Sequence, residues 1–333
     1  MSELGLTPRF DPRSFFARNA VLLVFLLFVA LAGIITGGRF LAPANLAVIL
    51  FQCSVVGVLV LGQALVMLIA GIDLSIVAVA ILTAIVMGAG GSERQIIMNM
   101  GGILPYLGFW PAILVAFAVA ALAGLVNGLA VVLLRIPAFI ATLAVSLALA
   151  GLAMLATGGS PVHYPDRFFA DFGSTRWLGL PLPVYVFLLL AVLVGLVLAR
   201  TSFGTRLYAI GGNTRASRLS GIPVGTVTVL AYTLCALFGA VAGFLFLART
   251  GSVAPTSGGS LLLSTIAAAV VGGVSLFGGK GSIFNAVIGT LLLGGLSNLM
   301  NILLVSPHLQ DAVGGLIIVA AIMLNARLDP SDT

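Results

Sequence analysis

Long apolar runs, separated by a few glycines or charges, constrain this chain more than any other feature. Ten fit the sequence, at residues 19–38, 45–69, 74–91, 112–134, 138–156, 182–199, 226–248, 262–279, 283–303 and 310–326. A helix crosses a hydrocarbon core with about 20 apolar residues, and no open strand can cross it. Composition agrees: 61% of the 333 residues are hydrophobic and 7% are charged, against about 25% charged in soluble domains. Such a chain cannot cover a water-facing surface. The expected fold class is an all-α polytopic membrane protein, one domain over residues 1–333, with about ten transmembrane helices. Two boundaries are soft. The stretch 45–91 is broken only by Gly71-Ile72-Asp73, and 262–303 only by the Gly-rich Phe277 to Ser282.

One long polar island lies between the two apolar halves, Arg200 to Val224, RTSFGTRLYAIGGNTRASRLSGIPV. It holds Arg200, Arg206, Arg215 and Arg218 and no acidic residue. Lys and Arg mark the cytoplasmic side of membrane proteins. With the N-terminus inside, inner segments carry ten of these residues and outer segments five. The expected arrangement has both termini cytoplasmic, residues 1–18 as a cytoplasmic tail, 157–181 as the largest outer loop and 200–225 in the cytoplasm. Three prolines and three phenylalanines in 157–181 predict a loop folded onto the membrane rather than a domain. The formal charge of +6 is scattered over loop ends, so no nucleic-acid face is expected.

The chemistry of an enzyme is missing. The sole lysine, Lys280 in GGKGS, has Val274 six residues before it and Gly281 after it, so no phosphate-binding P-loop is present. No HExxH, GxSxG or CxxC occurs, and His163 and His308 lack a second ligand at metal-type spacing. Cys53 and Cys235 lie in apolar runs and read as small buried hydrophobes. No metal or cofactor is called for. Low charge inside the spans suits a neutral, polyhydroxylated or apolar cargo.

Several constellations remain, each with two readings. Asp73, with Ser75 beside it, either caps the following helix, with Gly71 making the turn, or belongs to a gate or pathway. Among the amides inside spans, Gln63, Asn127 and Asn298 could line a polar path, or glue helices together. Gln52 and Asn301 share that choice. GxxxG pairs at Gly33/Gly37, Gly124/Gly128 and Gly239/Gly243 are either close helix seams or chance in a Gly-rich chain. Pro137 fits the first turn of a helix, with Arg135 as a charged anchor before it. Asn213 can cap a short island helix presenting Ala216, Leu219 and Ser220, ended by Gly221-Ile222-Pro223. The alternative is an ordinary basic loop.

Five of these motifs, in order and spacing, resemble the ribose-type ABC importer permeases: GIDLS at 71–75, IPAFIATL at 136–143, YAIGGN at 208–213, ASRLSGI at 216–222 and GGKGS at 278–282. The resemblance covers about residues 40–325. It implies a bacterial inner-membrane subunit paired with a second permease copy or a paralogue. ABC ATPase subunits would dock below it and a periplasmic solute-binding protein would deliver sugar from above. It also implies a fold like the vitamin B12 importer, with spans 2–5 and 7–10 as inverted repeats. The ATPase-coupling role then falls on Gly212, Asn213, Arg215, Ala216, Arg218, Leu219, Ser220 and Gly221. One departure stands out. Where the family continues GIDLS with Val-Gly-Ser, this chain has Ile76-Val77-Ala78. The alternative, from a different class, is an ion-coupled secondary transporter of a neutral solute, for which Asp73 is the one plausible coupling group.

Overall fold

The computed structural model describes residues 12–91, 103–163, 167–306, 309–310, 312–316, 319 and 323. Helices dominate: α1 (Pro12–Ile35), α2 (Pro43–Leu68), α3 (Ile76–Gly90), α4 (Phe109–Val132), α5 (Ala138–Thr157), α6 (Arg167–Ser174), α7 (Leu182–Arg200), α8 (Ser202–Gly212), α9 (Thr214–Leu219), α10 (Val224–Thr250), α11 (Gly259–Val271) and α12 (Ile283–Ile302). Among the described residues six helices are long and apolar enough to cross a membrane, namely α2, α4, α5, α7, α10 and α12. Three more apolar helices are shorter: Asn19–Ile35 within α1, α3 and α11.

Two span boundaries differ from the sequence reading, each for a local reason. The span expected at 262–279 is helical only to Val271. There Gly272 ends α11 and Gly273 turns to φ 75°, a conformation open to glycine at little cost. Residues 274–282 are loop. The span expected at 74–91 becomes the 15-residue α3, because the chain is held off the helix until Ser75. That length covers only about 22 Å. The tail at 1–11 and most of the span at 310–326 lie outside the described residues.

The bundle is organised around α10, which packs against α2, α3 and α4. Small residues make those seams close. A methyl carbon on Gly124 would lie 2.6 Å from Thr233 Cα and from the Tyr232 carbonyl oxygen, and one on Gly128 2.7 Å from Val229 Cα. On its other side α10 presents Gly239 and Gly243 to the Ile76 and Ala80 carbonyls of α3. Two of the three GxxxG pairs are therefore helix seams within the chain. The third is not: Gly37 sits in the turn after α1 at φ 59°, with no neighbour near its Cβ position. Helix α4 buries Ala112, Ala116, Ala120 and Ala123 on its inner stripe. Leu114 and Leu122 on its other face are 71% and 62% exposed, which is the inside-out pattern of a helix bounded by lipid.

The described residues of 157–181 fold back on the bundle. Val162–His163 (β1) pairs antiparallel with Ser252–Val253 (β4), and Arg176–Trp177 (β2) with Leu180–Pro181 (β3). The buried Phe169 of α6 lies 5.0 Å from the Phe244 ring of α10, centroid to centroid. Cys53 and Cys235 are free and buried.

Candidate functional site

The seven residues between α2 and α3, Ile69 to Ser75, form a helix break inside the bundle. The N–H groups of Ile69, Ala70 and Gly71 still reach α2 carbonyls, and side chains of neighbouring helices supply further partners beyond that point. Asp73, fully buried, accepts from the Ser75 N–H and from the Ser75 hydroxyl, both at 2.7 Å on Oδ1. Ser75 Oγ in turn accepts from Asn127 Nδ2 of α4 at 2.7 Å. The Gln63 amide of α2 brackets the Asp73 backbone: with its O and N assigned to suit their neighbours, it donates to the Asp73 carbonyl at 2.9 Å and accepts from the Asp73 N–H at 3.2 Å. Thr142, in the first turn of α5, donates to the Ile72 carbonyl at 3.3 Å. From α10, Tyr232 closes on Gly71, where a methyl carbon would lie 2.6 Å from the Tyr232 hydroxyl.

Asp73 is thus not itself the helix cap. Ser75 holds that position, and the carboxylate acts one step earlier by fixing Ser75. Three buried polar atoms around the break have no partner: Asp73 Oδ2, Asn127 Oδ1 and Tyr232 Oη. Orphaned buried oxygens are uncommon and call for an explanation.

Of the five residues considered for a pathway or gate, Asp73, Ser75, Gln63 and Asn127 meet here. Asn298 does not. It exchanges amide hydrogen bonds at 3.0 Å with Asn45, near the start of α2. That point is 18 residues before Gln63, about 27 Å along the helix, so Asn298 joins α12 to α2.

The island folds as two short helices rather than one. Thr201 caps α8, accepting from the Gly204 N–H at 3.4 Å. Asn213 ends α8 and caps α9, accepting from the Ala216 N–H at 2.9 Å. Gly221, at φ 80°, closes α9, and the Ile222 N–H reaches back to the Ser217 carbonyl, a glycine-ended helix stop. Leu207 and Ile210 of α8 are buried. Leu219 of α9 is 83% exposed, and Arg215, Ala216, Arg218 and Ser220 are exposed beside it. Gly212 is exposed as well, with open space where a side chain would go.

The island is tied to the break by contacts the sequence did not disclose. The Gly279 N–H donates to the Leu68 carbonyl, the last residue of α2, at 3.0 Å. Gly211 lies so close to that carbonyl and to the Gly279 nitrogen that any side chain would clash with both. Tyr208 of α8 donates to the Gly281 carbonyl at 2.9 Å. The motifs YAIGGN and GGKGS, 70 residues apart in sequence, therefore grip the end of α2 together. Tyr208, Gly211, Gly279, Tyr232 and Cys235, whose thiol sits beside the Asp73 carboxyl, complete the site. The motifs YAIGGN and GGKGS had pointed to Tyr208, Gly211 and Gly279, and nothing had pointed to Tyr232.

Comparison with known proteins decides the family. The profile of the family described as branched-chain amino acid transport system / permease component matches residues 45–322. The chain belongs to this family of permease components. It is 36% identical to the ribose import permease protein RbsC of Escherichia coli (strain K12), over 96% of the chain and 97% of that protein. It is 37% identical to the ribose import permease protein RbsC of Bacillus subtilis (strain 168), over 86% of each. The fructose import permease protein FrcC of Rhizobium meliloti is 33% identical over 91% of the chain and 84% of its own length. No solved structure matches the chain. As a permease component the protein is a multi-pass membrane protein, and the helix break and island lie inside the matched region.

Proposed function

We propose that this chain is the transmembrane permease subunit of an ATP-binding-cassette importer and forms the passage for a monosaccharide or related polyol. Its relatives are named as importers of ribose and fructose, and its spans carry too little charge to suit an ionic cargo. The fold is read as vitamin-B12-importer-like, with inverted repeats, in the bacterial inner membrane with both termini cytoplasmic. ATP hydrolysis belongs to partner subunits. A periplasmic binding protein supplies the sugar, and a second permease, copy or paralogue, completes the passage.

One observation carries the mechanism: a basic, solvent-facing helix is joined by backbone contact to a helix break inside the bundle. α9 offers an exposed Leu219 flanked by Arg215 and Arg218, the anatomy of a docking patch. Closure of the ATPases would push α9. Asn213 joins α9 to α8, and Gly211 and Gly279 hand the displacement to the end of α2. The break at Ile69–Ser75 is where α2 and α3 can change their mutual angle. The energy for that change comes from the ATPases' unequal affinity for the two states.

The test is ATP-driven sugar uptake in proteoliposomes holding the permease with its ATPase and binding protein. Arg218→Glu or Gly221→Pro is expected to abolish uptake and uncouple ATP hydrolysis from the binding protein. Full uptake by both variants would overturn the coupling role. The ion-coupled reading rests on the fully buried carboxyl of Asp73 at the helix break. Uptake driven by a proton or sodium gradient without ATPase subunits would favour it.

A further inference from the structure

A cavity of about 660 Å³ opens at the island end of the bundle, beneath the helix break. It lies between the end of α2, the α4–α5 connection, α8–α9 and the start of α10. Gly71, Tyr232, Thr214 and Thr228 line it, together with Arg135 and Arg218. No acidic residue lines it. Neither arginine has an ion-pair partner among the described residues. The Tyr232 hydroxyl, on a side chain 1% exposed, has no hydrogen-bond partner.

Two features set this cavity apart from an ordinary basic loop. First, Tyr232, one of its lining residues, carries a buried hydroxyl left unsatisfied by the fold, a group that costs free energy until something pairs with it. Second, Arg135 holds φ 55°, a left-handed backbone that disfavours a long side chain by about 1–2 kcal/mol. Glycine or asparagine would be at ease there. An arginine stands there instead, and it lines the cavity together with the island's Arg218. Two arginines from different elements lining one space without an acidic residue suit a tetrahedral oxyanion, whose oxygens point several ways. A planar carboxylate is satisfied by a single fork.

We propose that this cavity is a binding site for a phosphate-bearing ligand, held by Arg135 and Arg218, with the ligand's hydroxyl reaching Tyr232. The site bridges the α4–α5 connection and the island, so an occupant holds α9 against the break and resists its movement. Both a phosphorylated sugar or polyol and a lipid headgroup such as phosphatidylglycerol offer this combination of phosphate and hydroxyl. The proposal stands on the cavity and not on the transport reading.

The experiment measures equilibrium binding to the purified full-length permease in uncharged detergent, without ATPase subunits. A failure of ATPase coupling therefore cannot mask the result. The soluble probes are glycerol 3-phosphate, glycerate and glycerol. The lipid arm uses phosphatidylcholine vesicles with and without phosphatidylglycerol. Saturable binding of glycerol 3-phosphate but not glycerol, weakened about ten-fold by Arg135→Asn and by Arg218→Gln and about three-fold by Tyr232→Phe, is the expected result. Arg135→Asn keeps a residue that tolerates the left-handed backbone, so its loss of binding is not a loss of fold; an unchanged thermal midpoint checks this. Binding confined to phosphatidylglycerol vesicles, with the same variant pattern, supports the site and assigns it to lipid. Glycerate binding as tightly as glycerol 3-phosphate overturns the phosphate assignment. Variants that bind both phosphate probes like the parent, or a parent that binds neither, overturn the site.

Discussion

At the scale of single residues, Asp73 shows how a carboxylate is kept inside a membrane bundle. Its Oδ1 receives two hydrogen bonds from one neighbour, Ser75, which fixes the first residue before α3. Asp73→Ala would leave the buried Ser75 N–H and hydroxyl without that acceptor, at about 1–3 kcal/mol each. Asp73→Asn keeps an acceptor oxygen. Thermal unfolding in detergent should therefore show the alanine variant clearly less stable than the asparagine variant. Equal midpoints would mean that Asp73 does not organise the break. Ala70, in the same break, holds φ 60° without being glycine. Its backbone nitrogen lies within 2.7 Å of a methyl built on Gly278, so the strain sits where the GGKGS loop presses on the end of α2.

At the scale of elements, contact between helices rests on where a side chain is missing. Gly211 and Gly212 are adjacent and look alike in sequence. A methyl on Gly211 meets backbone atoms of Leu68 and Gly279, which cannot rotate away, whereas one on Gly212 meets nothing. Gly211→Ala is expected to cut ATP-driven uptake by ten-fold or more, in line with about 1–3 kcal/mol for overpacking, and Gly212→Ala to leave it near parental. Uptake that falls equally in both would show that the α8–α2 contact transmits nothing. The same contrast holds within the span helices. Gly124→Ala pushes α4 off α10, while Gly151 on α5 faces open space. Unfolding midpoints should drop for the first variant and hold or rise for the second, because alanine extends a helix better than glycine by about 1 kcal/mol.

At the scale of the whole molecule, the chain is a bundle wrapped around α10, with the island at one end and the β2–β3 hairpin beyond α6. The proposed orientation puts Arg215 in the cytoplasm and Trp177 outside. Both are exposed, and the two native cysteines are buried. A membrane-impermeant maleimide should therefore label Trp177→Cys in intact spheroplasts and Arg215→Cys only in inverted vesicles. Labelling of both from one face would reverse or break the topology.

The fold class was legible because a hydrocarbon solvent allows few solutions: apolar runs of helical length, Lys and Arg bias, and glycine pairs leave little else to build. Asn213 as a helix cap and Gly221 as a helix stop were legible too, since both act on atoms within a few residues. What lies between distant segments was not. Nothing local in Gln63, Asn127, Thr142 or Tyr232 says that four helices will deliver them to one seven-residue break. Asn298, an amide of the same kind, went instead to pair with Asn45. Tertiary structure decided those partners, because a hydrogen bond lasting inside the bundle depends on which backbone group the packing leaves unsatisfied. Span lengths were misread for the same reason. Hydropathy registers how apolar a segment is: the break at Asp73 showed as a charge, but only the packed chain shows that Gly272 and Gly273 end α11.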